Sequence, residues 1–450
     1  MAFNTIEQVP LVSNGHYSQL RKHERFSESY ADLHTRPFPI GDTPLRVSHI
    51  AFFHSNEAVT DSDVSGSDAE LIHLQALCKR YSVNPPKLGE SCFYQNFGEF
   101  EVRWERHTEF SSYSFMVYGV DSSPFAHPPI SLIPSDWLQQ VPGEVISAVH
   151  IDAMESGTLP DRETLRQYFE GQRLLASELR DGAATIWSAL RLHTDGFNRI
   201  LLLNNSMNEC QSGRVVRALL ELEAYRNMML LAFPEAQRVS AQVSDMEAQL
   251  ARLVRQISGR RDSAEEQQQL AELSDMAAAI AELIAASRYR FDAGRAYYQM
   301  VQSRLDELEE REINELQTLS AFIDRRLSPA LRTVDAAKRR LDDLAGRVDR
   351  ATDFLRTRID MAIEAQNQAL LQSMDRRAQM QFSLQQTVEG LSVVVITYYV
   401  LALCGYLLDA ADTFNLGFSS ARTIAIMLPV VLLSVWILSR RLRKRIKGIE

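Results

Sequence analysis

The sequence predicts an α+β cytoplasmic domain, built on a duplicated β-α-β-β-β-α unit, followed by long coiled-coil helices and two C-terminal transmembrane helices. Three observations carry this. Residues 391–408 and 423–439 are apolar and contain no charged side chain. Between Pro234 and Gly390 the chain is rich in Ala, Leu, Glu, Gln, Arg and Asp, with Pro329 as the only interior proline, a composition of strong helix formers. Before Pro234, β-type and helix-type patterns alternate, punctuated by Asp-Gly turns.

The first 40 residues read as an extension with a short helix near 18–34, and Arg36-Pro37-Phe38-Pro39 forces an extended path. The domain over 41–232 has two stretches of the same plan. The first has a strand near 46–54, a helix near 67–82, strands near 91–96, 99–107 and 110–118, and a short helix near 134–140. Residues 56–69 between its first strand and helix are acidic and turn-rich, a loop composition. The second has a strand near 144–153, a helix near 161–170, strands near 172–180, 183–192 and 197–204, and a helix over 212–232. Asp181-Gly182 and Asp195-Gly196 are the hairpin signals.

A helical stalk is expected over 233–390. Its first helix spans 235–258 and breaks at Ser258-Gly259-Arg260-Arg261. Asp262 or Ser263 caps the next, with Glu265 and Glu266 in its first turn. That helix is expected to reach Leu327, with Pro329 opening the last one. In the last helix Val334, Leu341, Val348 and Leu355 repeat every seven residues beside Ala337, Leu344 and Ala351, a coiled-coil seam. The phase then shifts through Ile359, Ile363, Leu370 and Met374, as a stutter does. The seam fits a second chain or a hairpin with the preceding helix equally well.

Residues 391–408 and 423–439 are each near the short end for a spanning helix. A buried hairpin in a soluble core is the competing reading. The tail over 440–450 is strongly basic, and Arg376 and Arg377 precede the first span, whereas the 409–422 loop carries Asp409, Asp412 and one arginine, Arg422. The positive-inside rule then puts both termini in the cytoplasm and the loop outside. Ser392, Tyr399 and Tyr406 recur every seven residues, with Gln385 one step earlier, on one face of the first span. They line a pore or an oligomer axis, or hydrogen-bond the second span. The partners implied are a lipid bilayer and further copies of the chain.

Composition limits the rest. The 450 residues carry a net charge of -10, which argues against nucleic acid as a partner. The four cysteines lack metal-site spacing, as do the histidines, and no phosphate loop or nucleophile elbow is present. No cofactor is expected, and no signal peptide is read in the first 30 residues. The densest polar group is Arg103, Glu105, His107 and Glu109, sharing one face of a strand opposite Trp104 and Arg106. It reads as a ligand or acid–base face, or as a solvated sheet face with cross-strand ion pairs. Arg217 with Glu221 and Glu223 with Arg226 are helix-stabilising spacings.

His34-x-Arg36-Pro37-Phe38-Pro39, Trp104-Glu105-Arg106-His107-Thr108-Glu109-Phe110, Leu220-Glu221-Leu222-Glu223-Ala224-Tyr225-Arg226, Gln366-Asn367-Gln368, Ser373 through Arg377, and Thr387 through Val393 resemble an uncharacterised family of membrane-anchored bacterial proteins, a domain-of-unknown-function family. The resemblance implies the bacterial inner membrane and carries no activity. More distantly, the plan is similar to CorA-type magnesium channels. Those carry Gly-Met-Asn at the outer end of the first span, where this chain has Gly405-Tyr406-Leu407. The expected function is a membrane-anchored oligomer with a binding or sensing domain and no enzyme activity. A CorA-like channel and a membrane-tethered enzyme using Glu105, His107 and Glu109 are the alternatives.

Overall fold

A computed structural model of the chain describes residues 43–54, 66–87, 89–119, 121, 123–155, 157, 160–257, 263–313, 316–412 and 420–446. The helix expected near 18–34, His34 with Arg36, the break at 258–261 and residues 413–419 of the expected 409–422 loop lie outside the described residues. The chain divides into two compact units, one of residues 1–252 with 275–349, the other of 253–274 with 350–450.

The first unit holds an α/β domain around one mixed sheet. In chain order its elements are β1 (Leu45–Phe53), α1 (Gly66–Arg80), β2 (Cys92–Asn96), β3 (Glu101–Arg106), β4 (Phe110–Tyr118), α2 (Ser135–Leu138) and β5 (Glu144–Glu155). Then come α3 (Arg162–Tyr168), β6 (Leu175–Leu179), β7 (Ala184–Ser188), β8 (Asn198–Asn204) and α4 (Glu209–Leu230). The loop expected over 56–69 is shorter at its end, because α1 begins at Gly66. The strand order is β2-β3-β4-β1-β5-β8-β7-β6, continued by β9 (Glu310–Glu312) on the β6 edge.

The repeated plan survives as neighbour order on either side of the antiparallel β1–β5 pair, and not as strand direction. β1 runs antiparallel to β4, whereas β5 runs parallel to β8. The two halves are therefore not superposable copies. Central strands β1 and β5 bury side chains on both faces, so their sequences run apolar without clean alternation.

One face of the sheet packs Leu45, Val47, Val149, Ile151, Ile200 and Leu202 against α4 and against later helices. The opposite face carries Ile50, Trp104, Tyr113 and Phe115 with Leu71, Leu74 and Leu77 of α1 and Trp137 of α2. On the second half that face packs Leu165 and Phe169 of the α3 region against Trp187 and Leu201. Asn208 caps α4 reciprocally with Gln211.

The later helices are α5 (Ala232–Ile257), α6 (Ser263–Leu308), α7 (Leu319–Asp412) and α8 (Ser420–Ile446). Two boundaries differ from expectation. Helix α6 stops at Leu308, not near Leu327, and three polar residues, Glu310-Arg311-Glu312, then pair with β6. Such a strand is held by backbone hydrogen bonds at a sheet edge and has no apolar alternation to betray it. Pro329 does not open α7. The helix begins ten residues earlier, where Thr318 Oγ1 accepts the Ala321 N–H at 3.2 Å, and Pro329 lies inside it. Thr333 Oγ1 donates to the Pro329 carbonyl at 3.0 Å.

The seven-residue seam of α7 is buried within the chain: Val334, Ala337, Leu341, Leu344 and Val348 are at most 2 % exposed. In the first unit α7 is tied to α5 by Arg340–Glu247 at 2.7 Å. Lys338–Asp292 at 2.6 Å and the Arg295–Asp335 pair tie it to α6. The hairpin reading therefore accounts for the seam up to Val348.

In the second unit Arg358 of α7 donates to Glu266 of α6 at 2.5 Å. Beyond it, α7 carries the apolar run. By length and composition α7 is the one helix among the described residues able to cross a membrane, and only 6 % of its most apolar window is buried. The apolar part of α8, Ile424–Leu438, is shorter.

Candidate functional site

Residues of β1, β3 and β4 at alternate positions share the sheet face that α4 covers. His49 comes from β1, Arg103 and Glu105 from β3, and Ser112 and Ser114 from β4. These polar side chains, two of them charged, cluster on a face that elsewhere packs Leu45, Val47, Val149, Ile151, Ile200 and Leu202. Helix α4 meets them with Arg217, Leu220, Glu221, Ala224 and Tyr225, leaving a narrow cleft whose rim includes His107 and Phe110. The enclosed part is about 10 Å³, the space of roughly one water centre.

The cleft is a chain of ion pairs above a neutral histidine. Arg103, 1 % exposed, donates to Glu105 at 2.7 Å. On the helix, Arg217 Nε donates to Glu221 at 2.7 Å, and Arg304 of α6 reaches the other Glu221 oxygen at 2.5 Å. Arg304 also donates to Glu307 at 2.5 Å. His49 Nδ1 lies 2.8 Å from Ser114 Oγ, while its buried Nε2 has no hydrogen-bond partner. Burial lowers the His49 pKa to about 4, against the smaller opposing pull of Glu105. Burial also raises the Tyr225 phenol, with the Glu221 charge adding to it. A neutral imidazole and a protonated phenol in such a place donate or accept hydrogen bonds to a polar ligand without changing charge near neutrality.

The structure separates the four residues expected on one strand face. Arg103 and Glu105 lie beneath α4, not on a solvated face. His107 follows the end of β3 in the turn, its ring stacked 4.2 Å from Phe110. Glu109 leaves the group: its carboxylate takes both terminal nitrogens of Arg290 in α6, at 2.7 and 2.9 Å. Glu223 and Arg226 pair at 3.0 and 2.7 Å on α4. His49, Arg304 and Ser114 were not legible as site members. The one hint was Ser48-His49 in the middle of a strand whose remaining residues, apart from Arg46, are apolar.

Among the described residues three Ser–His contacts occur, and none of these has the geometry of a nucleophile, base and orienting acid. Besides His49–Ser114, Ser48 Oγ lies 3.0 Å from His150 Nδ1, both fully buried. His54 uses the same Nε2 for Ser111 at 3.0 Å and Glu70 at 2.6 Å. A triad requires the acid on the other ring nitrogen. No group of three or more His, Cys, Asp or Glu able to hold a metal exists among the described residues.

A second cleft, about 210 Å³, opens beside the C-terminal end of β5, lined by Pro44, Arg46, Asp121, Asp152 and Glu155. Burial raises the Asp152 pKa to about 6, opposed by the Phe125 N–H that it accepts at 2.8 Å. Arg46 pairs with Asp121 at 3.1 Å.

Of the residues expected along the first apolar span, Ser392 donates to the Val388 carbonyl at 2.9 Å. Tyr399 and Tyr406 are 64 % and 76 % exposed. In this unit they are not covered by α8.

No curated protein and no solved structure matches the chain. The family described as "Protein of unknown function (DUF3422)" matches residues 21–446, so nearly the whole length is accounted for, and the chain belongs to the DUF3422 family.

Proposed function

We propose that the chain is a membrane-anchored, non-enzymatic, homo-oligomeric bacterial protein whose α/β domain binds or senses a partner on the cytoplasmic side of the inner membrane. The observation that carries this is the uncharged run over 391–408, which continues α7 with its apolar side chains exposed. In water, burial of a Leu- or Val-sized side chain is worth about 1.5–3 kcal/mol, and this run leaves many unburied. A bilayer supplies the missing cover. The second span is the apolar stretch of α8, and the basic residues 440–447 place both termini inside. The cleft under α4, with its arginines, glutamates and neutral His49, is the place where a polar partner would be read. The commitment of Glu109 to Arg290, away from Glu105 and His107, favours a binding over an acid–base role.

Ultracentrifugation of lysed cells tests the anchor. The full-length chain pellets and is released by detergent, not by alkaline carbonate. Recovery in the supernatant without detergent overturns the proposal.

A CorA-like channel is the second reading, favoured by the outward-facing Tyr399 and Tyr406. Proteoliposomes of the intact chain then conduct divalent cations, and replacing both tyrosines with Phe alters the flux. Absence of flux across common divalent cations removes this reading.

A further inference from the structure

We infer that α7 self-associates in parallel and in register through one continuous face running from Ile363 to Tyr406, with α8 on the outside of the assembly. This rests on the membrane-anchored reading above and names the partner of its polar stripe as a second copy of the same helix.

The face is defined by what already covers the opposite side. Thr397 is 4 % exposed and donates to the Val393 carbonyl at 2.7 Å. Ile424 of α8 sits 3.5 Å from where a Cβ on Gly405 would lie. Thr397 and Gly405 therefore mark the α8 side of the helix. Each residue turns an α-helix by about 100°, so Tyr399 and Tyr406 lie roughly opposite that side.

Followed toward the N-terminus in steps of three and four, the Tyr399–Tyr406 face passes through Val395, Val388, Leu384, Met374, Leu370 and Ile363. All six are between 45 % and 69 % exposed. This is a heptad seam with one extra residue at Ser392. Asn367, Arg377 and Gln381 fall on it as well. Polar seam residues of this kind cost stability and fix register between parallel helices.

The occupant follows from where the face goes. Upstream of residue 389 the stripe stands in water, and lipid cannot cover it. Downstream it stands in the apolar run, where a soluble partner cannot follow and a tyrosine hydroxyl lacks water. A partner that serves both stretches must be a helix passing from water into bilayer at the same height. Among the described residues α7 itself is such a helix. A parallel copy sets Tyr399 against Tyr399 and Tyr406 against Tyr406, where the hydroxyls hydrogen-bond each other.

The test uses full-length chains in native membranes, with Cys78, Cys92, Cys210 and Cys404 replaced by Ala and one cysteine returned. Oxidation of V388C, V395C or Y406C shifts the band from 51.1 kDa to twice that mass. Cysteine at Thr397 or Leu401, on the α8 side, or at Tyr398, toward lipid, leaves it at the monomer position. Equal cross-linking at all positions, or none at the first three, overturns the inference while leaving the anchor standing. Absence of the chain from the pellet instead overturns the anchor and the inference with it. Because the cysteine-free background can misfold, the unaltered chain is also weighed in detergent by light scattering. A multiple of 51.1 kDa is expected, and a clean monomer overturns the self-association.

Discussion

Glu109 and Arg290 form a two-pronged ion pair that ties the β3–β4 turn to α6 across 181 residues of sequence. The carboxylate is 4 % exposed and the guanidinium 15 %. Both charges are largely out of water, and the guanidinium and carboxylate compensate each other there.

Removing one partner is therefore costly. Arg290→Ala is expected to destabilise the folded chain by about 3 kcal/mol, the range for breaking a buried pair. Arg290→Ala with Glu109→Ala recovers part of the loss, because no buried charge is left alone. Thermal unfolding in detergent measures both, and additive losses would show that the pair is not coupled.

Acid sensitivity follows from two histidines. Burial holds both His49 and His150 at a pKa of about 4, below the ordinary 6.5. The unfolded chain takes up protons that the folded chain excludes. Their stabilisation is complete above pH 6.5 and is lost as pH falls toward 4, at up to about 1.4 kcal/mol per pH unit for each histidine. Unfolding midpoints between pH 7 and 4.5 check this, and His49→Gln with His150→Gln flattens the profile.

Asp152 has the opposite sign. Burial raises its folded pKa to about 6, above 3.8, so the protonated acid favours folding. That contribution is present below pH 3.8 and is lost as pH rises through 6. Asp152→Asn keeps an acceptor for the Phe125 N–H and is expected to raise stability by about 3 kcal/mol at pH 7.5. At pH 3.5 the gain vanishes. A gain that does not depend on pH would assign it to packing instead.

A close helix contact supplies another test. A Cβ on Gly294 of α6 would lie 2.6 Å from the Cβ of Ala232. Gly294→Ala improves helix propensity by about 1 kcal/mol, yet overpacking costs about 1–3 kcal/mol. Net destabilisation is expected, relieved by Ala232→Gly in the same chain. If Gly294→Ala alone stabilises, the helices are free to separate.

The single-residue physics of this chain was readable without coordinates. The strands at 45–53, 110–118 and 198–204 follow from β-type runs bounded by turn residues. The helices follow from composition and caps, and the two apolar stretches from the lack of charge over residues 391–408 and 423–439. Those signals are local, because backbone propensity and apolar periodicity act within a few residues.

Tertiary structure decided what depends on distant partners. It set β5 parallel to β8 and drew Glu310–Glu312 onto the β6 edge. It brought Ser114 and Arg217 into the cleft with His49, joined Arg304 to Glu221, gave Glu109 to Arg290, and buried Thr397 while leaving Tyr399 exposed. In each case the deciding energy is a hydrogen bond, ion pair or packing contact between residues far apart in sequence, and no local pattern encodes the partner.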